Sequence, residues 1–433
     1  MIQFNGFLLA FLVLFLGRSC CRLLLTRINV GHLTRKGNRV PPGFEKVLDE
    51  KTLVRMTGYT IDSSRFGSLV SLFNDGILLL IILSGLLPWY AEYVESLRFN
   101  AVIAGLLFLA GPAAVGFVLD IPFELYETFV IERKYGFSTI SWKLWLSDLL
   151  KGLAVSLVLT GILLGSLLVL IFHAGPAWWF WAWILFACFQ LLIMWLYPVV
   201  IAPLFNRYEP VKDQELRDRI IALVEKAGLK ARGIFQVDAG KRSRHTNAYF
   251  TGLGRSKRIV LFDTLLLSHS HDELLAVLAH EIGHWKKRHI IKQLLLMEIL
   301  SLFLFFIISR IMAWPEFYHT FGFSRINPAA GLFLISALSG PVAFFFRPLS
   351  SALSRRYEQE ADDFTFHLTG RTAPLISALR GLARDNLSNL YPHPIYAWFY
   401  YSHPPLLARI ARLQEFRKKE DIDFQGPVVV DSP

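Results

Sequence analysis

Residues 146–172, LSDLLKGLAVSLVLTGILLGSLLVLIF, and residues 177–200, AWWFWAWILFACFQLLIMWLYPVV, are separated only by HAGP at 173–176. Crossing the ~30 Å hydrocarbon core of a bilayer takes roughly 20 residues of apolar helix. These two runs therefore predict a helical hairpin through a membrane. Working outward, comparable stretches lie at 4–25, 68–90, 100–122, 290–313 and 328–349, so that about seven spans are expected. The whole chain agrees: 54% of its 433 residues are hydrophobic and only 18% charged, and the mean hydropathy is +0.43.

The net charge of +11 belongs mainly to loops flanking the apolar runs, which is the pattern of membrane orientation rather than of nucleic-acid binding. The 27–65 loop carries Arg27, Arg35, Lys36, Arg39, Lys46, Lys51, Arg55 and Arg65, whereas 91–99 holds Glu92 and Glu95 against Arg98. Alternation then places 27–65, 123–145, 201–289 and the chain after 350 on the inner, basic side, and 173–176 and 314–327 outside. The first run lacks a preceding positive cluster and a small-residue cleavage site, and is expected to be a retained span. Three cysteines, two of them adjacent at Cys20 and Cys21, give neither a disulfide framework nor a paired-thiolate metal site.

Segment 206–289 changes character. From Asp213 to Lys226, charged residues interleave with Leu216, Ile220, Ile221, Leu223 and Val224 at helical spacing, and Gly228 follows as a stop. GIFQVDAG (233–240) and NAYFTGLGRSKRIVLFDTLL (247–266) read as two or three strands of a small sheet. The resulting division is 1–205 with five spans, 206–289 soluble, 290–349 with two spans, and 350–433 as a second soluble segment.

Within LLAVLAHEIGHWKKRH (274–289) stands H-E-x-x-H. On a helix, residues four apart share a face, so His280 and His284 can aim their imidazoles at one ion, while Glu281, about 100° round, can serve as base toward the attacking water. The pattern also arises by chance, and two solvated or helix-packing histidines are the plain alternative. Some seventy residues on, SRRYEQEADDF (354–364) supplies Glu358 and, one turn later, Asp362. Two spans and a short outer turn separate it from His284, so the chain returns to the same side and the two helices run antiparallel. Two His, one Glu and water form a catalytic zinc arrangement, and zinc suits these ligand types better than other divalent ions. Asp362 could accept the free N–H of a ligand His. Glu360 and Asp363 are competing carboxylates, and a solvated charge run is the bland reading of all four.

HEIGHWKKRH with SRRYEQEAD resembles the type I CAAX prenyl endopeptidase family, whose members remove the C-terminal tripeptide after a prenylated Cys. PFELYETFVIERKYGF (122–137), IAPLFNRYEPV (201–211), KRSRHTNAYFTG (241–252), RIVLFDTLL (258–266) and YSHPPLLARIARL (401–413) extend the similarity over most of the chain. The resemblance implies a mainly α-helical polytopic membrane protein. Its seven helices would enclose an intramembrane chamber, with a gluzincin-like zinc protease domain containing a small sheet. It implies one zinc ion on His280, His284 and Glu358, Glu281 as base, and Asn247, Ala248 and Tyr249 on a substrate-binding edge strand. It also puts His403 and Arg409 near the metal. His403 could then donate to the developing oxyanion; Arg409 could meet a substrate carboxylate, or Asp362, or another acid. Asn74, Asp75 and Gln190 fit either a wet interior or polar contacts between helices.

The expected partners are a peptide or protein substrate, prenylated or not, and membrane lipid, with no nucleic acid. The short outer connection MAWPEFYHTFGFSRINP (312–328) and the ending VVVDSP, which carries no retrieval signal, favour a compact member of the bacterial inner membrane over one of the endoplasmic reticulum. A general quality-control protease is then the alternative to a prenyl-dependent one. A seven-span metal transporter would instead need mid-span ligands and an internal repeat, and neither is evident.

Overall fold

The computed structural model describes residues 2–230, 233–251 and 258–424; the end VVVDSP and the GLGRSK stretch at 252–257 lie outside the described residues. Among the described residues, seven helices are long and apolar enough to cross a membrane: Gly6–Lys36, Glu50–Leu83, Ala101–Lys134, Trp142–His173, Gly175–Phe205, His289–Met312 and Pro328–Thr369. Most outrun their apolar stretches, because bilayer thickness limits the apolar run and not the helix. The expected span 68–90 is corrected: its helix ends at Leu83 and a separate one, Leu86–Ser96, follows. Gly85 between them has φ +78°, a left-handed conformation open to glycine and awkward for other residues.

The chain divides into two compact units. The first comprises residues 1–27, 62–205 and 292–347. Its core gathers Leu8, Phe11, Phe15, Ile82, Phe108, Leu168, Phe317, Tyr318 and Phe321. The connection between the last two of the seven helices therefore contributes packing: helix Pro315–Thr320 buries Phe317 and Tyr318, and the Phe7 ring meets Phe317 and Phe321 edge-on at 5.7 and 6.1 Å. Asp75 is buried, pairs with Arg18 and with Arg22 at 2.8 Å, and accepts a hydrogen bond from the Ser19 hydroxyl at 2.6 Å. Of the two readings of that residue, polar contact between helices is the one observed. Asn74 donates to Asp120 at 3.2 Å.

The second unit holds residues 28–61, 206–291 and 348–433. Among the described residues its sheet has four strands, β1 Tyr208–Pro210, β2 Gly233–Val237, β3 Ala248–Thr251 and β4 Arg258–Phe262, the last three in the runs read as strands. The added strand, β1, is short and ends in proline, which sheets tolerate at an edge. The order is β1-β2-β4-β3, antiparallel except for the parallel β2–β4 pair. Ile259 and Leu261 of β4 are fully buried beneath Ile220 and Val224 of the amphipathic helix Gln214–Lys226 and Leu274, Leu278 and Ile282 of helix His271–Lys286. The latter starts with a capping box: Ser270 N–H donates to Glu273 at 2.8 Å and Glu273 N–H to Ser270 Oγ at 3.4 Å.

Candidate metal centre

Helix His271–Lys286 carries His280 and His284 on one face, and Pro328–Thr369 carries Glu358 and Asp362. The two helices meet where Gly283 lies against Ala361, and the side chains converge. His280 Nε2 and His284 Nε2 are 3.2 Å apart, and each is 3.2 Å from an oxygen of Glu358. All three ligand atoms fall within 4.8 Å of one another. Glu358 Oε2 is buried without a well-formed hydrogen bond. Two imidazole nitrogens facing each other and a carboxylate leave lone pairs aimed at one point. That donor set fits a metal ion and is poorly satisfied by the protein alone.

The next shell orients the ligands. His280 Nδ1 lies 2.9 Å from Asp362 Oδ1, and Arg409 grips the same carboxylate with Nε at 2.7 Å and Nη2 at 2.6 Å. Arg409 Nη2 is also 3.0 Å from His280 Nδ1. Two donors cannot bond to each other, so the carboxylate is the acceptor both share. A proton on Nδ1 leaves the Nε2 lone pair for the centre. Burial and Arg409 push the His280 imidazole down, yet Asp362 and Glu358 hold it above its ordinary value; the same carboxylates favour any cation there, proton or metal. Burial pushes the Glu281 carboxyl up and Glu358 adds to the rise, against the pull of His280, His284 and Arg409.

His403 Nε2 stands 3.3 Å from Glu358 Oε1 and its Nδ1 is 3.0 Å from the Ser402 hydroxyl. Its side chain is 61% exposed, in contrast to Glu358 at 6%. A cavity of about 610 Å³ adjoins, lined by His403 and Arg409 together with Leu379, Leu382, Asn386 and Tyr401. Arg409, itself buried, engages Asp362 through Nε and Nη2, and its Nη1 lies 3.7 Å from Glu358 Oε2. Two of the competing acids are occupied elsewhere: Glu360 takes His289 Nε2 at 3.1 Å, and Asp363 takes Arg412 at 2.9 Å.

β3, with Ala248 and Tyr249, is an edge strand that packs on the helix of His280 and His284. The Phe250 and Trp285 rings lie 5.6 Å apart. Phe262 N–H donates to Asn247 C=O at 3.0 Å, so alternation along the antiparallel ladder turns Ala248 and Phe250 main-chain groups to the open side. Asn247 Oδ1 accepts from Ala248 N–H at 2.8 Å, and Tyr249 reaches Tyr208 hydroxyl to hydroxyl at 3.1 Å.

One residue beside the centre escaped the reading of the sequence. His289 Nδ1 is 3.1 Å from His284 Nδ1, and His289 is buried. Its signal was present as the last residue of HEIGHWKKRH.

Comparison with known proteins covers the chain in two consecutive stretches. Residues 29–207 match the family model described as CAAX prenyl protease N-terminal, five membrane helices, and residues 210–417 match peptidase family M48. CAAX prenyl protease 1 of Saccharomyces cerevisiae is 34% identical over 409 residues, 88% of this chain and 90% of that protein. The homologue of Oryza sativa is 31% identical over 90% of this chain and 93% of its own. The crystal structure of S. mikatae Ste24p superposes with a TM-score of 0.89 at 30% identity, covering 95% of this chain and all of that one. With both halves matched in order, a metal-ready centre and seven membrane-length helices, the chain belongs to the CAAX prenyl protease family of M48 membrane metallopeptidases.

Proposed function

We propose that the chain is a zinc metalloendopeptidase that cuts a peptide laid along β3, and that its substrates are proteins prenylated near their C-terminus. The observation that carries the first part is the convergence of His280, His284 and Glu358 within 4.8 Å, with His280 oriented by Asp362. Zinc bound there supplies Lewis-acid polarisation of the scissile carbonyl and makes the attacking water more acidic.

The remaining steps belong to the protein. Glu281, beside both histidines on the same helix, takes a proton from the water as its oxygen bonds to the carbonyl carbon. Its burial-raised basicity brings it closer to working pH. As the C–N bond breaks, the same carboxyl returns the proton to the leaving nitrogen. His403, exposed on the cavity side, donates toward the developing oxyanion. Arg409 acts through Asp362 as a positioning residue. Asn247, Ala248 and Tyr249 supply the edge against which an extended substrate forms main-chain hydrogen bonds.

For the substrate, the support is the name CAAX prenyl protease 1 carried by the relatives above. Their eukaryotic sources weigh toward a membrane of the endoplasmic reticulum and against the bacterial inner membrane suggested by the short outer connection. The basic inner loops favour a cytoplasmic site. Cleavage of a farnesylated C-terminal peptide and its unprenylated counterpart by the detergent-purified chain tests this reading. A higher kcat/KM for the farnesylated peptide is expected; equal values would leave a general membrane-peptide protease.

A further inference from the structure

We infer that His289 and Glu360 form a positioning relay that fixes the tautomer of His284 and so tightens the metal centre; the inference rests on His284 being a ligand. His284 Nδ1 and His289 Nδ1 are 3.1 Å apart, and His289 Nε2 is 3.1 Å from Glu360 Oε2. Glu360 is held in turn by Arg356 at 3.2 Å. His289 is 2% exposed, and its ring stacks on Tyr357 at 4.2 Å and 12°.

With His289 neutral, one assignment of protons satisfies the line. His289 Nε2–H donates to the Glu360 carboxylate, which leaves His289 Nδ1 as an acceptor. His284 Nδ1–H donates to it, and His284 Nε2 keeps its lone pair for the centre. The opposite order would set an unprotonated His289 Nε2 against a carboxylate inside the protein, lone pair to lone pair. The two ligand histidines are thus oriented by different means, His280 directly by Asp362 and His284 through a second histidine.

The backbone is shaped for this contact. On an unbroken helix a residue five positions on would stand about 140° round the axis and out of reach. Helix His271–Lys286 stops, Arg288 takes φ +56°, and a new helix starts at His289, returning the ring to His284. A left-handed conformation is disfavoured at a non-glycine residue and persists where the surroundings impose it.

The test is the zinc affinity of the full detergent-purified chain, measured by chelator competition, with the melting temperature of the metal-free protein recorded alongside. His289→Leu, which keeps bulk but removes the acceptor, is expected to weaken zinc about 10- to 100-fold. His289→Asn, whose Oδ1 can accept in place of Nδ1, is expected to recover most of that loss. Equal weakening by Leu and Asn, or wild-type affinity in the Leu variant, overturns the relay. His284→Ala binding zinc like wild type would overturn the metal-centre reading itself, so the two failures are distinguishable.

Discussion

Gly283 of the HEIGH motif lies directly on the backbone of Ala361: a β-carbon at Gly283 would come 3.0 Å from both the Ala361 Cα and its carbonyl oxygen. This is where the helix of the two histidines and the helix of Glu358 cross. The 3.2 Å ligand contacts depend on that approach. Backbone cannot step aside as a flexible side chain can. Gly283→Val is therefore expected to destabilise the protein by about 1–3 kcal/mol and to lower its zinc content. Thermal melting and metal analysis on the same sample check this; a Val variant with unchanged zinc would mean that the helices tolerate separation.

Asp362 is 2% exposed and Arg409 9%, so each is the other's main charge compensation. Removing Arg409 leaves a buried carboxylate uncompensated, at a cost of about 3–5 kcal/mol. Arg409→Ala should melt far earlier than wild type. Arg409→Lys keeps a charge but not the two-pronged grip, and is expected to fall between the two in both melting temperature and zinc affinity. A Lys variant equal to wild type in both would show that the paired geometry is immaterial.

The open side of β3 gives a kinetic expectation. Phe250→Pro removes an outward N–H without breaking the β3–β4 ladder, whereas Phe250→Leu keeps that N–H and serves as the packing control for the contact with Trp285. The Pro variant should raise KM for an extended peptide with zinc content unchanged, and the Leu variant should change it little. Equal KM in all three proteins would remove β3 from substrate binding.

What could be read from the sequence follows from how local each constraint is. H-E-x-x-H announces itself because i, i+4 on a helix is a short-range relation, and Glu358 could be assigned because two spans must return the chain to its starting side. Asp362 follows one turn behind Glu358 for the same reason. His289 was hidden because its reach to His284 depends on one left-handed residue, Arg288, which side-chain chemistry does not announce. β1 was missed because Tyr208–Pro210 is too short to show alternation. The β1-β2-β4-β3 order depends on which strands pair across the chain, and periodicity carries no such information. Arg409 could be associated with the centre by resemblance, but only the folded chain pairs it with Asp362.

The central claim is that Glu281 is the base of a zinc peptidase, and the most direct measurement is peptide cleavage by Glu281→Gln with zinc quantified in the same preparation. The account predicts full zinc content and a melting temperature near wild type, with cleavage reduced by at least 10²- to 10⁴-fold. A variant that keeps its zinc and cuts at the wild-type rate, or a zinc-free wild type that cuts undiminished, would contradict it.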